Sequence, residues 1–311
     1  MIRLVARRIG WALVVIWFVV TATFLLATRL PSNPAKTMLG PHADAAAIKL
    51  VEDEYQLREN VLVQYGTWVK KVATGDLGKS YRSQSPIMQI LGERIWPTIQ
   101  LALAAIFLQL LIGLPLGILA AVRKRRWPDR ATTVVTLLAQ SAPQFLLGTL
   151  VLYVFAYRFG WFPISGYGDG GLDRLWHLVL PAFTLASVGI AYYARAVRSE
   201  MVDVLGEDYI RTARAKGLPE RTVIGKHALR NALGPLVTLV GLDLGVLLGG
   251  AVVVESIFAW PGLGREVLQA VLDVDLPLIT GTVLVAAIAI AVANLLVDLL
   301  LLWLDPRLRD R

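Results

Sequence analysis

Apolar runs bounded by clusters of charge set the pattern of the chain. Residues 10–27 are 18 in a row without a charged side chain, and residues 95–122 are 28. Further apolar runs cover 131–157, 175–194, 231–254 and 276–304. A helix needs about 20 mainly apolar residues to cross the hydrocarbon core of a bilayer. The pattern therefore predicts six membrane-spanning helices. Only one long polar segment interrupts them early, residues 31–94. Within it Ile48, Val51 and Tyr55 repeat at helical spacing, as do Leu62, Tyr65 and Val69. Two short amphipathic helices are expected there, forming a small subdomain between the first and second spans.

Composition agrees with this reading. Of 311 residues, 56% are hydrophobic and 17% charged, against roughly a quarter charged in soluble domains. The net charge of +8 comes from cations placed beside apolar runs, which suits orientation in a membrane and anionic lipid. No aromatic-interleaved basic groove points to nucleic acid. The absence of cysteine excludes disulfides and cysteine metal sites. The first run is longer than a signal-peptide core, and Thr28-Arg29-Leu30-Pro31 is a poor cleavage site, so it reads as an uncleaved span. Arg123-Lys124-Arg125-Arg126 with Arg130 marks an inner loop, and residues 195–230 carry eight Lys or Arg against five acids. Residues 160–173 hold no Lys or Arg, and residues 255–275 hold four acids and one base, so both lie outside. Both termini are then cytoplasmic.

Several features within the spans carry chemical interest. Pro115, between Gly113 and Gly117, predicts a kink or a close helix contact, and Pro143 falls inside the third span. Gly241, Gly245 and Gly249 form a small-residue stripe. Asp243, Asn294 and Asp298 are intramembrane polar residues, and intramembrane charge marks pathways. They keep open a different class, a channel or secondary carrier uncoupled from ATP. The same-face neighbours of Asp243 are aliphatic, so its partner must come from another element. Residues 73–80, Ala-Thr-Gly-Asp-Leu-Gly-Lys-Ser, satisfy a relaxed phosphate-loop pattern. An amphipathic helix precedes them where a strand is required, which argues against nucleotide binding. No nucleophile–base constellation or metal spacing appears.

The most polar ordered stretch of the second half is Glu207 to Leu218, Glu-Asp-Tyr-Ile-Arg-Thr-Ala-Arg-Ala-Lys-Gly-Leu. Asp208 stands at a predicted N-cap, Gly217 at a C′ position, and Arg214 and Lys216 lie where cations suit the helix dipole. This predicts a helix of two to three turns: a docking element or a solvated linker. Tyr209 and Ala213, four apart, are expected on one face.

That stretch resembles the EAA loop of permease subunits of ABC importers, in the dipeptide, oligopeptide, nickel and glutathione branch. Arg211-Thr212-Ala213 stands for the Glu-Ala-Ala triplet, and the loop glycine is Gly217. Trp260-Pro261-Gly262-Leu263-Gly264 and the Gly75-Asp76-Leu77-Gly78 stretch resemble the same branch. Arg211 in place of an acid, and Gly234 before Pro235, depart from the general motif. The resemblance implies an all-α integral membrane protein of the type I importer fold. Residues 1–94 would form span 1 and an extracytoplasmic subdomain, residues 95–305 the transmembrane domain, and residues 306–311 a cytoplasmic tail. It implies a coupling helix in residues 195–230, carried by Asp208, Tyr209, Arg211, Thr212, Ala213, Arg214, Ala215, Lys216, Gly217 and Leu218. The implied partners are a second permease, two ATPase subunits that use ATP and Mg, an extracytoplasmic binding protein and lipid. The implied location is the bacterial inner membrane, with peptides, glutathione or nickel chelates as cargo. This chain itself would bind no cofactor and catalyse nothing.

Overall fold

A computed structural model describes residues 2–29, 44–46, 48–49 and 59–304. Among them the chain is helical throughout, with one isolated antiparallel bridge, Lys79 to Pro86. The helices are α1 (Ile2–Arg29), α2 (Val61–Ala73), α3 (Ile87–Val122), α4 (Trp127–Ser141) and α5 (Gln144–Val151), the last running into a π-helical stretch, Leu152–Arg158. Then come α6 (Gly171–Leu205), α7 (Asp208–Ala215), α8 (Glu220–Thr222), a second π-helical stretch (Val223–Ala228) and α9 (Leu229–Ala232). The chain continues with α10 (Gly234–Gly250), α11 (Val252–Ile257), α12 (Leu263–Leu272) and α13 (Leu276–Leu304). The expected helix around Val51 and Tyr55 and the tail from residue 306 lie outside the described residues.

Among the described residues three helices are long and apolar enough to cross a membrane: α3, α6 and α13 over Leu276–Val297. A fourth span is present if α4 and residues 144–158 are taken together, but these two are bent by 105°. The third predicted span, residues 131–157, is therefore broken. The cause is local. A proline disfavours helical backbone in the residue before it, and Ala142 is extended (φ −77°, ψ 129°) ahead of Pro143. Pro115 lies inside the continuous α3 and Pro181 inside α6. The apolar core of α1, residues 9–25, and α10 are shorter.

The described residues fall into two compact units, one within residues 1–98 and 261–295, the other within 99–260 and 296–311. In the first, Phe24 of α1 packs against Tyr65 and Trp68 of α2, at ring distances of 5.3 and 5.4 Å, and Thr21 shares a hydrogen bond of 2.6 Å with Tyr65. Leu62 is instead 77% exposed, so the buried face of α2 runs through Trp68 rather than Leu62. Ile87, Leu91, Leu263, Ala270 and Leu278 form the apolar core of this unit. Asp275, just before α13, accepts from the Leu278 N–H at 3.2 Å in the manner of an N-cap and from the Ser80 hydroxyl at 2.5 Å.

In the second unit α3 and α6 meet along glycines. A Cβ on Gly117 would lie 2.6 Å from the Ala194 carbonyl oxygen, and one on Gly113 3.0 Å from Tyr193 Cβ. Of the two expectations for Pro115, the close helix contact is thus what the flanking glycines serve. Gly241 of α10 gives the same room to Val297 of α13. At the other end of this unit Trp260 is fully buried, edge-on to Tyr167 at 4.8 Å, and the Arg174 guanidinium lies 4.2 Å above the Tyr167 ring.

Candidate functional site

The segment joining α6 to α10 is built around α7. Its first residue is Asp208, and the flanking residue is Glu207 in extended geometry (φ −69°, ψ 150°) with no side-chain cap. The helix thus starts one residue earlier than an Asp208 N-cap implies. Asp208 serves in the first turn, where a carboxylate suits the helix dipole, and lies 3.5 Å from Arg211 on the exposed face. The other end follows expectation. Gly217 has φ +76°, its N–H reaches the Arg214 carbonyl at 2.9 Å, and the Leu218 N–H reaches the Ala213 carbonyl at 3.3 Å. These two bonds form a Schellman motif, which requires a left-handed residue at this position.

The two faces of α7 differ sharply. Ile210 is fully buried and Ala213 nearly so, packed with Met201, Val223, Ala228 and Ala232. Asp208, Arg211, Thr212, Ala215 and Lys216 are exposed. Tyr209 is part-exposed and its hydroxyl accepts from Asn231 Nδ2 at 2.8 Å. Ala213, four residues on from Tyr209, is buried where Tyr209 is exposed, and it is part of the face that fastens the helix to its own chain. Arg214 grips Glu220 with two bonds of 2.7 and 3.2 Å. The Arg214 hydrogen bonds hold the Glu220 carboxyl below its ordinary range. Their contribution is present above that range and lost as pH falls through it, and at this exposure it is small. The result is a short, capped helix presenting a polar outer face from a fixed seat.

Within the second unit, Gln109 of α3 and Tyr193 of α6 face the Asp243 carboxyl of α10 closely enough to interact with it. Asp243 Oδ2, Tyr193 Oη and Gln109 Oε1 are each enclosed and make no hydrogen bond of good geometry. Gln109 fills the space beside Gly189, which any side chain there would occupy. Sequence reasoning reached Asp243 and its need for a partner on another element, but not Gln109 or Tyr193. The uncharged run 95–122 holds two amides, Gln100 and Gln109, and the sequence alone does not say which of them faces Asp243. Asn294 is exposed on α13; Asp298 continues that helix with its side chain outside the described residues.

In the first unit the phosphate-loop look-alike is a turn. It follows α2, Asp76 Oδ1 accepts from the Gly78 N–H at 2.9 Å, and Ser80 is buried against Asp275. A polar cavity of about 460 Å³ lies beside it, lined by Arg82, Glu93, Arg94, Glu266 and Asp273 among others. Arg94 and Glu266 pair at 3.0 Å, and Arg82 pairs with Asp273.

Comparison with known proteins places this arrangement. Residues 113–310 match the family of binding-protein-dependent transport system inner membrane components, and residues 1–102 match that family's N-terminal membrane component. The glutathione transport system permease protein GsiC of Escherichia coli O6:H1 is 38% identical over 309 residues, 99% of each chain. The dipeptide transport system permease protein DppB of Alkalihalophilus pseudofirmus is 38% identical over 336 residues, 99% of this chain and 100% of that one. Among solved structures, inward-facing MetNI methionine ABC transporter aligns with a TM-score of 0.58 at 20% identity, over 69% of this chain and 95% of that chain. Matched along nearly its whole length, with the fold of an importer permease, the chain belongs to the binding-protein-dependent transport system inner membrane components, as a multi-pass, non-catalytic permease subunit.

Proposed function

We propose that this chain is one of two permease subunits of an ATP-driven importer, and that α7 with Gly217 and Leu218 is its coupling element. The observation that carries the proposal is the two-faced build of α7. Ile210 and Ala213 seat it in its own chain, the Schellman turn and the Arg214–Glu220 pair fix its exit, and its outer face is free and polar. A coupling element has to pass rigid-body motion in both directions, and a seated helix does this where a loose linker does not. Two partner ATPase subunits, using ATP and Mg, would receive Asp208, Tyr209, Arg211, Thr212, Ala215 and Lys216 from below. The six-span arrangement with both termini inside, and the division into residues 1–94, 95–305 and 306–311, belong to the same proposal. A binding protein would dock outside, near residues 31–94. Cargo follows the relatives, whose names specify glutathione and dipeptides; di- or oligopeptides, glutathione or a similar small solute are proposed here. Membership of a binding-protein-dependent family stands against the channel or carrier reading of the buried acids.

Recovery of the ATPase subunits on the tagged permease tests the coupling role. A Cβ at Gly217 meets no atom within 4 Å, so the penalty of Gly217→Val is backbone strain alone, about 1–2 kcal/mol. It is expected to leave membrane insertion intact while lowering ATPase recovery and uncoupling hydrolysis from transport. Ala215→Trp, on the outer face, is expected to do the same by obstruction. Full recovery and transport in both variants would show that α7 is only a connector.

A further inference from the structure

The loop between α3 and α4 carries five cations in eight residues: Arg123, Lys124, Arg125, Arg126 and Arg130, all exposed. The one acid among them does not neutralise them. Asp129 is 4% exposed, and its carboxylate is taken up elsewhere. Arg198 of α6 binds it through Nε at 2.5 Å and Nη2 at 2.9 Å, and the Arg125 backbone N–H adds a third bond at 2.8 Å. Among the described residues none of the five cations forms an ion pair. The loop is also shaped. Arg125 is left-handed (φ +65°), the Arg126 N–H bonds the Arg123 carbonyl at 3.0 Å, and the Arg130 N–H bonds the Arg126 carbonyl at 3.2 Å. Asp129 thus acts as a pin that ties the folded loop to α6 while the five cations stay exposed.

We propose that this loop is a binding site for anionic phospholipid headgroups, with the Asp129–Arg198 pair as its internal brace. Two observations favour lipid over an acidic protein surface. Trp127, next to Arg126, is 75% exposed, and an exposed tryptophan beside arginines at the end of a span is suited to the bilayer interface. The helices leaving the loop expose aliphatic side chains at once: Leu119 and Val122 on α3, Val134, Val135 and Leu138 on α4. A phospholipid offers both halves of this pattern, a phosphate diester for the guanidinium groups and acyl chains for the aliphatic flank. Arginine suits the phosphate because its planar donors can bind two oxygens together. Because the loop is already folded, little ordering cost opposes binding.

The test uses the full transporter purified in detergent and exposed to phosphatidylglycerol or phosphatidylcholine. Retained lipid is counted by native mass spectrometry, and thermal midpoints are compared in vesicles of phosphatidylcholine with and without phosphatidylglycerol. The wild type is expected to retain phosphatidylglycerol in several-fold excess and to gain stability from it, less so at high salt. The variant with Arg123→Gln, Lys124→Gln, Arg126→Gln and Arg130→Gln should lose the preference while eluting as an intact complex. Asp129→Asn separates a built site from diffuse attraction. It raises net charge by one yet removes the brace, so a built site predicts weaker preference and diffuse charge predicts stronger. Wild-type preference in the quadruple variant would overturn the proposal, as would stronger preference in Asp129→Asn. Loss of ATPase recovery with lipid preference unchanged would assign the loop to a protein partner and likewise overturn it. Should Asp129→Asn fail to assemble, the quadruple variant, whose changes are all on exposed side chains, decides alone.

Discussion

At the scale of single residues the chain's most informative group is Asp243. A charged side chain at the middle of a span costs about 2.5–3.5 kcal/mol on insertion scales, so its presence calls for polar company. Gln109 and Tyr193 supply it from two other helices, and each of the three residues keeps an enclosed polar atom that makes no hydrogen bond of good geometry. Replacing one by an apolar side chain takes polar company from the other two, whereas an isosteric polar replacement keeps it. Asp243→Asn is therefore expected to keep the thermal midpoint of the purified complex near wild type. Asp243→Leu should lower stability by about 1–3 kcal/mol, the cost of abandoning buried polar groups. Thermal unfolding of the two variants side by side checks this, and equal midpoints would dissolve the idea of a shared cluster. The acid itself was legible in the sequence because a charge stands out in an apolar run. Gln109 and Tyr193 were not, because an amide and a phenol are common in spans and only the crossing of α3, α6 and α10 selects these two.

Among the elements, α7 was read with the right glycine and nearly the right ends, because its caps are local chemistry. Gly217 in the left-handed region and Arg214 in the last turn follow from the residue types. Which face points inward was not local. It depends on where Val223, Ala228 and Ala232 place their side chains, and these belong to a segment that turns from α to π helix. The prolines teach the same lesson. Pro143 ends α4 and bends the path by 105°, while Pro115 and Pro181 are carried inside long helices. A proline fixes its own φ and biases the residue before it, but neighbouring helices decide whether the chain continues. The seating of α7 makes its own prediction. Ile210 is wholly enclosed, and Ile210→Ala should cost about 2–5 kcal/mol of local stability through the cavity left behind. Amide exchange across residues 208–216 is expected to quicken in this variant while exchange in α3 is unchanged. ATPase recovery should fall with it although no outward residue has been altered. Unchanged exchange would mean that the Schellman turn and the Arg214–Glu220 pair hold the helix without its apolar seat.

For the whole molecule, the apolar runs of the sequence predict six spans, and the charges between them predict on which side each loop rests. Helix length alone identifies three spans among the described residues, or four with the bent pair. The two readings weigh different physics. A hydropathy window asks whether one continuous helix can cross the hydrocarbon, and a span broken at Pro143, or one as short as α10, fails that question even if lined by neighbours. Loop charge asks on which side a segment rests, and it is indifferent to breaks. On that basis Ser83 and Thr212 should lie on opposite sides of the membrane, Ser83 outside and Thr212 inside. Both are exposed, and the chain has no native cysteine to confuse labelling. In intact cells a membrane-impermeant maleimide is expected to modify Ser83→Cys and spare Thr212→Cys, and in inverted vesicles the pattern should reverse. Labelling of both from the same side would require an odd number of crossings to be gained or lost between them. The broken pair α4–α5 would then be a re-entrant hairpin rather than a crossing, and the loop bearing α7 would face away from any cytoplasmic ATPase.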